Sequence, residues 1–271
     1  MKEYILELIA SKEGFNAKLN LMREYLQAYT LRILFEIKFL QKSVFLGGTA
    51  LRFLYDLPRF SEDLDFSILE KSDYTFIDII KKIKKELILA GYDISITYND
   101  KKTVQYAMIK FKTLMYEAKI SPHKEKIFSI KLEIDTNPPQ GANTNTHIIN
   151  RYFLLSFFGY DLSSLFAGKL HAILSRKYTK GRDFFDLGWY LTKWKDITPN
   201  IPFLKNALAQ TGSLLTKKDL SEDNWRDYLY AAVEKADWSA VKNDVENFLA
   251  SPADLEILSK PNILKLLSRN L

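Results

Sequence analysis

The sequence contains no cysteine among its 271 residues. This absence excludes disulfide bonds, thiolate zinc sites, iron–sulfur clusters and cysteine nucleophiles. Histidine is also scarce, and His123, His147 and His171 are too scattered to show the spacing of metal ligands. The candidates for chemistry are therefore mainly carboxylates and basic side chains.

Long hydrophobic runs are absent as well. Residues 1–15 carry charges throughout and lack the apolar core of a signal peptide. The apolar stretch YFLLSFFGY, Tyr152–Tyr160, is far shorter than a membrane span. We therefore expect a soluble, cytoplasmic protein with no membrane partner.

The composition is that of a folded, basic protein. Apolar residues make up 47% of the chain and aromatics 14%, which is enough for a substantial core and argues against wholesale disorder. The formal net charge is +6, which favours a polyanionic partner such as nucleic acid without proving one.

Periodicity divides the chain near residue 160. Before that point helices and strands are mixed, and after it the pattern is almost wholly helical. Residues 1–42 predict one short and one long amphipathic helix, and 74–90 a third. The predicted strands are 44–46, 63–68, 92–99, 103–116 and 128–139. We predict an α/β (α+β) fold with a core domain over 1–160 and a helical domain over 161–271.

One stretch, VFLGGTALRFLYDLPRFSEDLDFSI, combines a glycine turn with paired carboxylates. Gly47 and Gly48 follow a predicted strand, where backbone amides can approach an anion closely, and Thr49 is a plausible cap for the next helix. Asp63 and Asp65 are two apart in a predicted strand, so both carboxylates point the same way. A divalent cation would relieve their repulsion.

Each half of this pattern also has a plainer explanation. Two glycines can serve a tight turn, and the two aspartates can be exposed loop residues near Arg52 and Arg59. Together, a phosphate-cradling turn and a metal-binding pair are the components of phosphoryl or nucleotidyl transfer.

The stretch resembles the first motif of the DNA polymerase β-type nucleotidyltransferase superfamily, in the branch of the AbiEii/AbiGii toxins. That branch is similar in its glycine pair followed by Thr or Ser, a nearby arginine, and an Arg-x-Ser-x-Asp-Leu-Asp block. Here these residues are Gly47, Gly48, Thr49, Arg52, Arg59, Ser61, Asp63, Leu64 and Asp65. The resemblance implies a polymerase β-like core with a mixed sheet, followed by a helical domain that completes the active-site cleft.

A second block, AGKLHAILSRKYTKGRDFFDLGWYL, resembles the family's helical lysine, downstream arginine and Arg-Asp-x-x-Asp-Leu pattern. Lys169 and Arg176 are seven apart, so they can share a helix face and reach phosphate oxygens. Asp183 and Asp186 also share a face, and Asp186 could hold Lys169 or orient the acceptor. The alternative is a surface ion-pair network between neighbouring helices.

A third carboxylate of this superfamily is expected on a later strand beside the aspartate pair. The segment KLEID offers Glu133 and Asp135 on one face with Lys131. We favour Glu133, because it is central in the strand, whereas Asp135 lies near prolines and could start a turn. The same mixed face could also point to solvent.

The resemblance implies the following site. The catalytic residues would be Asp63, Asp65, Glu133, Lys169 and Asp186, with Mg²⁺ (or Mn²⁺) on Asp63, Asp65 and Glu133. Substrate would be bound by Gly47, Gly48, Thr49, Arg52, Arg59, Ser61, Arg176, Arg182 and Asp183.

The implied activity is metal-dependent transfer of a nucleoside monophosphate from an NTP to an acceptor. The resemblance implies RNA as that acceptor, at the tRNA acceptor end, and a cognate antitoxin as partner. The basic run RKYTKGR, 176–182, could hold an RNA backbone with Tyr178 stacking on a base, or could be solvated loop charge. The competing functions are a nucleotide- or RNA-binding module with a vestigial site, and a metal-dependent nuclease or phosphohydrolase.

Overall fold

The computed structural model describes residues 1–69, 74–213, 220–251 and 253–268, without the side chains of residues 256 and 257. The last residues of the predicted helical domain, 269–271, lie outside the described part. The chain forms two compact units. We call the first the sheet unit; it comprises Met1–Asp56, Phe60–Pro138 and Asn145–Gly159. The second, the helical unit, comprises Leu57–Arg59, Pro139–Thr144 and Tyr160–Leu271.

The first part of the chain, residues 1–160, contains both helices and strands, as the periodicity predicts. The helices are α1 (Lys2–Ala10), α2 (Phe15–Glu36), α3 (Gly47–Tyr55), α4 (Phe76–Leu89) and the short α5 (Leu114–Glu117), with a 3-10 turn at Phe39–Gln41. The strands are β1 (Ser43–Leu46), β2 (Asp63–Ile68), β3 (Ile94–Asn99), β4 (Val104–Phe111), β5 (Phe128–Asp135), β6 (Thr144–Asn150) and β7 (Leu154–Tyr160).

Within the described residues these strands form one seven-stranded sheet in the order β3-β4-β5-β2-β1-β7-β6. The sheet is mixed, because β2 pairs with β5 in parallel and with β1 antiparallel, while β1 pairs with β7 in parallel. Along β2 the residues Leu64, Phe66 and Ile68 are buried on one face, which leaves the aspartates on the other. The order of strands therefore puts β2 in the middle of the sheet, between β1 and β5.

After β7 the described residues form helices and the segments that connect them. Its helices are α6 (Leu162–Ser175), α7 (Gly181–Lys193), α8 (Ile201–Gln210), α9 (Trp225–Lys235), α10 (Trp238–Glu246), α11 (Asp254–Ile257) and α12 (Lys260–Leu267). Asp161, Asn200 and Ser259 cap α6, α8 and α12 by accepting hydrogen bonds from backbone amides of the first turn. The mixed sheet and the following helices confirm the predicted fold class.

Several local predictions differ from the structure, and strands β6 and β7 were not predicted. Thr49 does not cap a helix, because α3 begins at Gly47 and its N-cap is Leu46. The predicted strand over 103–116 ends at Phe111, and α5 follows it. Strand β7 lies within the apolar run Tyr152–Tyr160. Its buried Leu155 and Phe157 alternate with the exposed Leu154, but the sequence does not show this alternation because nearly every residue of the run is apolar.

No helix of the described residues is long and apolar enough to cross a membrane.

Candidate active site

The glycine turn lies against the second aspartate of the pair. Gly47 follows β1 with a φ of +81°, a conformation that L-residues with a side chain rarely adopt. A Cβ atom at this position would overlap the Oδ2 atom of Asp65. Gly48, the second residue of α3, is buried. The backbone and the carboxylate therefore approach each other at a distance that only glycine permits.

The sheet register then aligns the carboxylates. Leu46 of β1 pairs with Asp65 of β2, and Asp65 pairs with Glu133 of β5. Two residues earlier on both strands, Asp63 pairs with Lys131. Two residues later on both strands, Asp135 pairs with Ser67. The Asp135 carboxylate accepts a hydrogen bond from the backbone amide of Asn137 in the following turn. Of the two candidates on β5, Glu133 is the one that lies across from the aspartate pair.

We call Asp63, Asp65 and Glu133 the carboxylate row. Lys131 adds a positive charge to it. Its Nζ lies 2.7 Å from Oε1 of Glu133. Partial burial by itself would lower the pKa of Lys131, but the hydrogen bond and charge of Glu133 outweigh it and raise the pKa. The charges of Asp63 and Asp65 act in the same direction. Lys131 therefore interacts electrostatically with all three carboxylates of the row.

The residues of the row fit a magnesium site of a particular kind. Mg²⁺ is commonly held by one or two carboxylates together with waters and substrate phosphates, rather than by a complete protein cage. Asp63 and Asp65 supply two such carboxylates on one face of β2. In the described residues, no three His, Cys, Asp or Glu side chains are arranged to hold an ion by themselves, and Glu133 is engaged by Lys131. Metal binding and the part played by Glu133 stay predictions.

Hydrogen bonds from buried side chains fix the backbone around the aspartates. Thr49, fully buried, donates from its hydroxyl to the carbonyl of Asp63. Gln27 of α2 donates from Nε2 to the carbonyl of Ser61 at 3.0 Å. Both contacts fix main-chain atoms at or next to β2. The predicted contacts of Thr49 and Ser61 with substrate stay predictions.

Arg52 belongs to a buried ion-pair cluster of the sheet unit. Its Nε donates to Oε2 of Glu24, and its guanidinium lies 3.7 Å from the centre of the Phe60 ring. Arg151 and Tyr152 also bind Glu24, at 3.3 and 3.1 Å. Burial lowers the pKa of Arg52 despite the paired carboxylate. Our sequence reasoning missed Glu24 and Gln27, although a polar stripe with spacings of three and four residues runs along α2: Asn20, Glu24, Gln27 and Thr30.

In the helical unit, Asp186 is the centre of a second cluster. Its carboxylate is fully buried and receives both arms of the Arg59 guanidinium, Nε and Nη2, at 2.6 Å each. Lys169 Nζ lies 2.7 Å from Oδ2 of the same carboxylate. Burial would raise the pKa of Asp186, but the charges of Arg59 and Lys169 lower it overall. Of the two roles considered for Asp186, holding Lys169 is the one that the geometry displays.

Asp183 extends this cluster along the same face of α7. Its two oxygens bind Lys169, at 3.4 Å, and Arg176. Arg176 is the residue just after α6 and has an extended backbone, so it reaches Asp183 from beyond the helix rather than from a shared helix face. Arg182, by contrast, donates its backbone amide to Asp244 at 3.0 Å and stacks on Phe248.

With the exception of Arg182, the predicted site residues thus form two groups, each within its own unit. The sheet unit brings together Gly47, Gly48, Thr49, Asp63, Asp65 and Glu133, and near them Arg52 and Ser61. The helical unit joins Arg59, Lys169, Arg176, Asp183 and Asp186. The shared cleft stays a prediction.

Comparison with known proteins gives one family and one fold. The family model described as nucleotidyl transferase AbiEii toxin, type IV toxin–antitoxin system, matches residues 31–260. Among curated proteins, none matches the chain. The crystal structure of JHP933 from Helicobacter pylori is similar, with 19% identity, a TM-score of 0.50, and coverage of 92% of this chain and 89% of that chain.

A second H. pylori crystal structure, of a protein assigned as a nucleotidyltransferase, has 19% identity and a TM-score of 0.50. The match covers 91% of this chain and 90% of that chain. At this level of identity, both structures support the fold alone.

Proposed function

This chain belongs to the AbiEii nucleotidyl transferase toxin family, and from that premise we propose that it transfers a nucleoside monophosphate from an NTP to RNA. The proposed acceptor is the acceptor end of tRNA. The proposed cofactor is Mg²⁺, or Mn²⁺ in its place. The observation that carries the proposal is the position of Asp65: its carboxylate lies against the Gly47 turn, and its register partner on β5 is Glu133.

The chemistry follows from what these groups can hold. Asp63 and Asp65 would hold the metal, which would supply positive charge to neutralise the triphosphate. An acceptor hydroxyl oxygen forms a bond to the α-phosphorus, and the bond from that phosphorus to the oxygen leading to the β-phosphate breaks. Pyrophosphate leaves with the electron pair, and the hydroxyl proton passes to a carboxylate of the row. Catalysis of this kind consists mainly of positioning and charge stabilisation.

We also propose that Lys169 serves the same reaction by neutralising the charge of the leaving pyrophosphate. Its ammonium is held by two carboxylates, Asp186 and Asp183. One of these carboxylates is already neutralised by the buried Arg59. A lysine held in this way is a fixed point charge with a donor to spare, which suits a phosphate oxygen. In this scheme Asp186 is a positioning residue.

An incubation with labelled nucleotides tests the proposal. Purified protein, Mg²⁺ and total tRNA are combined with each NTP labelled at the α-phosphate, and RNA is separated by size. We expect label on RNA with release of pyrophosphate, and none with Asp65→Ala. Shortened RNA would identify a nuclease. Absence of any product with all four nucleotides would favour a binding module.

The proposed role as a toxin has its own test. Expression of the wild-type chain in a bacterial host should arrest growth, because modified tRNA acceptor ends stop translation. Asp65→Ala expressed to the same level should not. Equal growth arrest by both chains would separate toxicity from nucleotidyl transfer.

A further inference from the structure

The helical unit contains a cavity of about 250 Å³ that is not formed by the carboxylate row. It lies between the segment joining α6 to α7 and the end of α9. The end of α6 and the start of α7 form part of its wall. Its lining residues are Ala172, Ile173, Arg176, Lys177, Tyr178, Thr179, Lys180, Asp183, Phe184, Ala232, Lys235 and Ala236.

The charges around this cavity are mostly positive. Arg176, Lys177 and Lys180 come from the connecting segment and Lys235 from α9, against the single carboxylate of Asp183. Asp183 already binds Lys169 and Arg176. Within the described part of the chain, Lys177, Lys180 and Lys235 form no ion pair. Residues 176–180 of the basic run therefore line a cavity, together with Lys235 of α9.

The lowered pKa of Lys180 reflects its burial and the excess of positive charge around the cavity. Burial lowers the pKa of its ammonium, and the nearby charges of Arg182 and Arg176 lower it further. The charge of Asp183 opposes this effect without reversing it. An anion in the cavity would relieve this repulsion, because it would add the opposite charge where cations are crowded.

Tyr178 gives the cavity a flat aromatic edge. Its side chain is 66% exposed, although it lines the cavity. The guanidinium of Arg176 lies 5.9 Å from the ring centre on one side. An exposed ring beside basic side chains is the usual arrangement for stacking a nucleic-acid base next to its phosphate.

We propose that this cavity binds a backbone phosphate of a single-stranded RNA, with Lys180 and Lys235 contacting the phosphate and Tyr178 stacking on the adjacent base. The inference rests on the proposed function, because it assigns the place where the RNA acceptor is gripped. A backbone phosphate with its neighbouring base suits the site, because the exposed ring of Tyr178 lies at the edge of a basic cavity.

Binding of a short fluorescein-labelled single-stranded RNA, measured by anisotropy over a salt series, tests the site. Lys180→Ala combined with Lys235→Ala should weaken binding about tenfold and lower the slope of log K against log salt by about one. Lys242→Ala is the matched control, because Lys242 is an exposed helical lysine outside the cavity. Tyr178→Ala should also weaken binding about tenfold, and Tyr178→Phe should restore it.

A second measurement separates the two sources of phosphate. Affinity for each NTP with Mg²⁺ should be unchanged in the double lysine variant. If NTP affinity falls and RNA affinity does not, the cavity holds the nucleotide and the inference is wrong. RNA affinity equal to wild type in the double variant would also overturn it.

The outcome is independent of the transfer assay. If the wild type transfers nucleotides but the cavity variants bind RNA normally, the inference fails and the proposed function stands. If the wild type binds RNA through the cavity but transfers no nucleotide, the proposed function fails and the inference about the cavity stands.

Discussion

Arg59 and Asp186 are 127 residues apart in the sequence, yet they share two hydrogen bonds of 2.6 Å in the interior of the helical unit. Arg59 is 2% exposed and Asp186 is not exposed at all. A buried charge pair with this bidentate geometry contributes modestly while it is intact, but the loss of one partner leaves the other charge buried without compensation.

Asp186→Asn should therefore lower the free energy of unfolding by about 3–5 kcal/mol, because the charge of Arg59 stays buried without its counter-charge. Urea denaturation followed by circular dichroism measures the change. Asp196→Asn, an exposed aspartate of the same unit, should change stability by about 0.5 kcal/mol or less. A loss below about 1 kcal/mol in Asp186→Asn would show that the pair is not a structural requirement.

The aspartate pair should behave in the opposite way. Asp63→Ala and Asp65→Ala are expected to abolish nucleotidyl transfer and Mg²⁺-dependent NTP binding while leaving the urea midpoint close to that of the wild type. Both side chains are only partly buried on the open face of β2, so their removal costs the core little. Near-normal transfer in either variant would contradict the assignment of this pair.

Gly47→Ala tests the close approach of the turn to Asp65. The added Cβ would meet the Asp65 carboxylate, and φ at this position is +81°. We expect a loss of stability of about 1 kcal/mol or more and at least about a tenfold loss of transfer. Gly168→Ala is the matched control: with no atom within 4 Å of its added Cβ in α6, it should raise stability by about 0.5–1 kcal/mol. Wild-type activity in Gly47→Ala would rule out a requirement for glycine.

Lys169→Ala should cost most of the transfer activity with a small change in stability, because Asp186 keeps Arg59 and Asp183 keeps Arg176. Lys169→Arg should restore activity only in part, since a planar guanidinium cannot reproduce a point donor held by two carboxylates. Steady-state kinetics with varied NTP measure both kcat and KM. If Lys169→Ala has wild-type kcat and KM, Lys169 has no part in the reaction.

His147 predicts a loss of stability in acid. Burial lowers the pKa of its imidazole, and in the described residues its buried Nε2 has no hydrogen-bond partner. The unfolded chain therefore binds the proton more readily than the folded chain. This contribution to stability is present above the ordinary histidine pKa of about 6.5 and is lost as the pH falls through the lower, folded value.

The free energy of unfolding should accordingly decrease between about pH 7 and pH 5, and His147→Gln should reduce that decrease. His123→Gln is the control for loss of an imidazole, because His123 is exposed. The same acid dependence in His147→Gln and wild type would exclude His147 as its source.

The sequence alone was sufficient to predict much of the fold and the position of Asp63 and Asp65 on one face of a strand. Strand β2, Asp63–Ile68, was predicted with its observed bounds, because alternation of polar and apolar side chains is a local property of adjacent residues. The helical periodicity of the second half has the same local origin. Family membership was likewise readable from fixed spacings within two short blocks.

Only the tertiary structure decided which groups meet. It placed Glu133 rather than Asp135 across from Asp65, because strand register depends on the packing of whole strands. It paired Arg59 with Asp186, Arg52 with Glu24, and the basic run with Lys235 in one cavity. The sequence identifies the charged side chains that need a partner if they are buried. Which partner each one finds depends on which distant segments the folded core brings within hydrogen-bond distance.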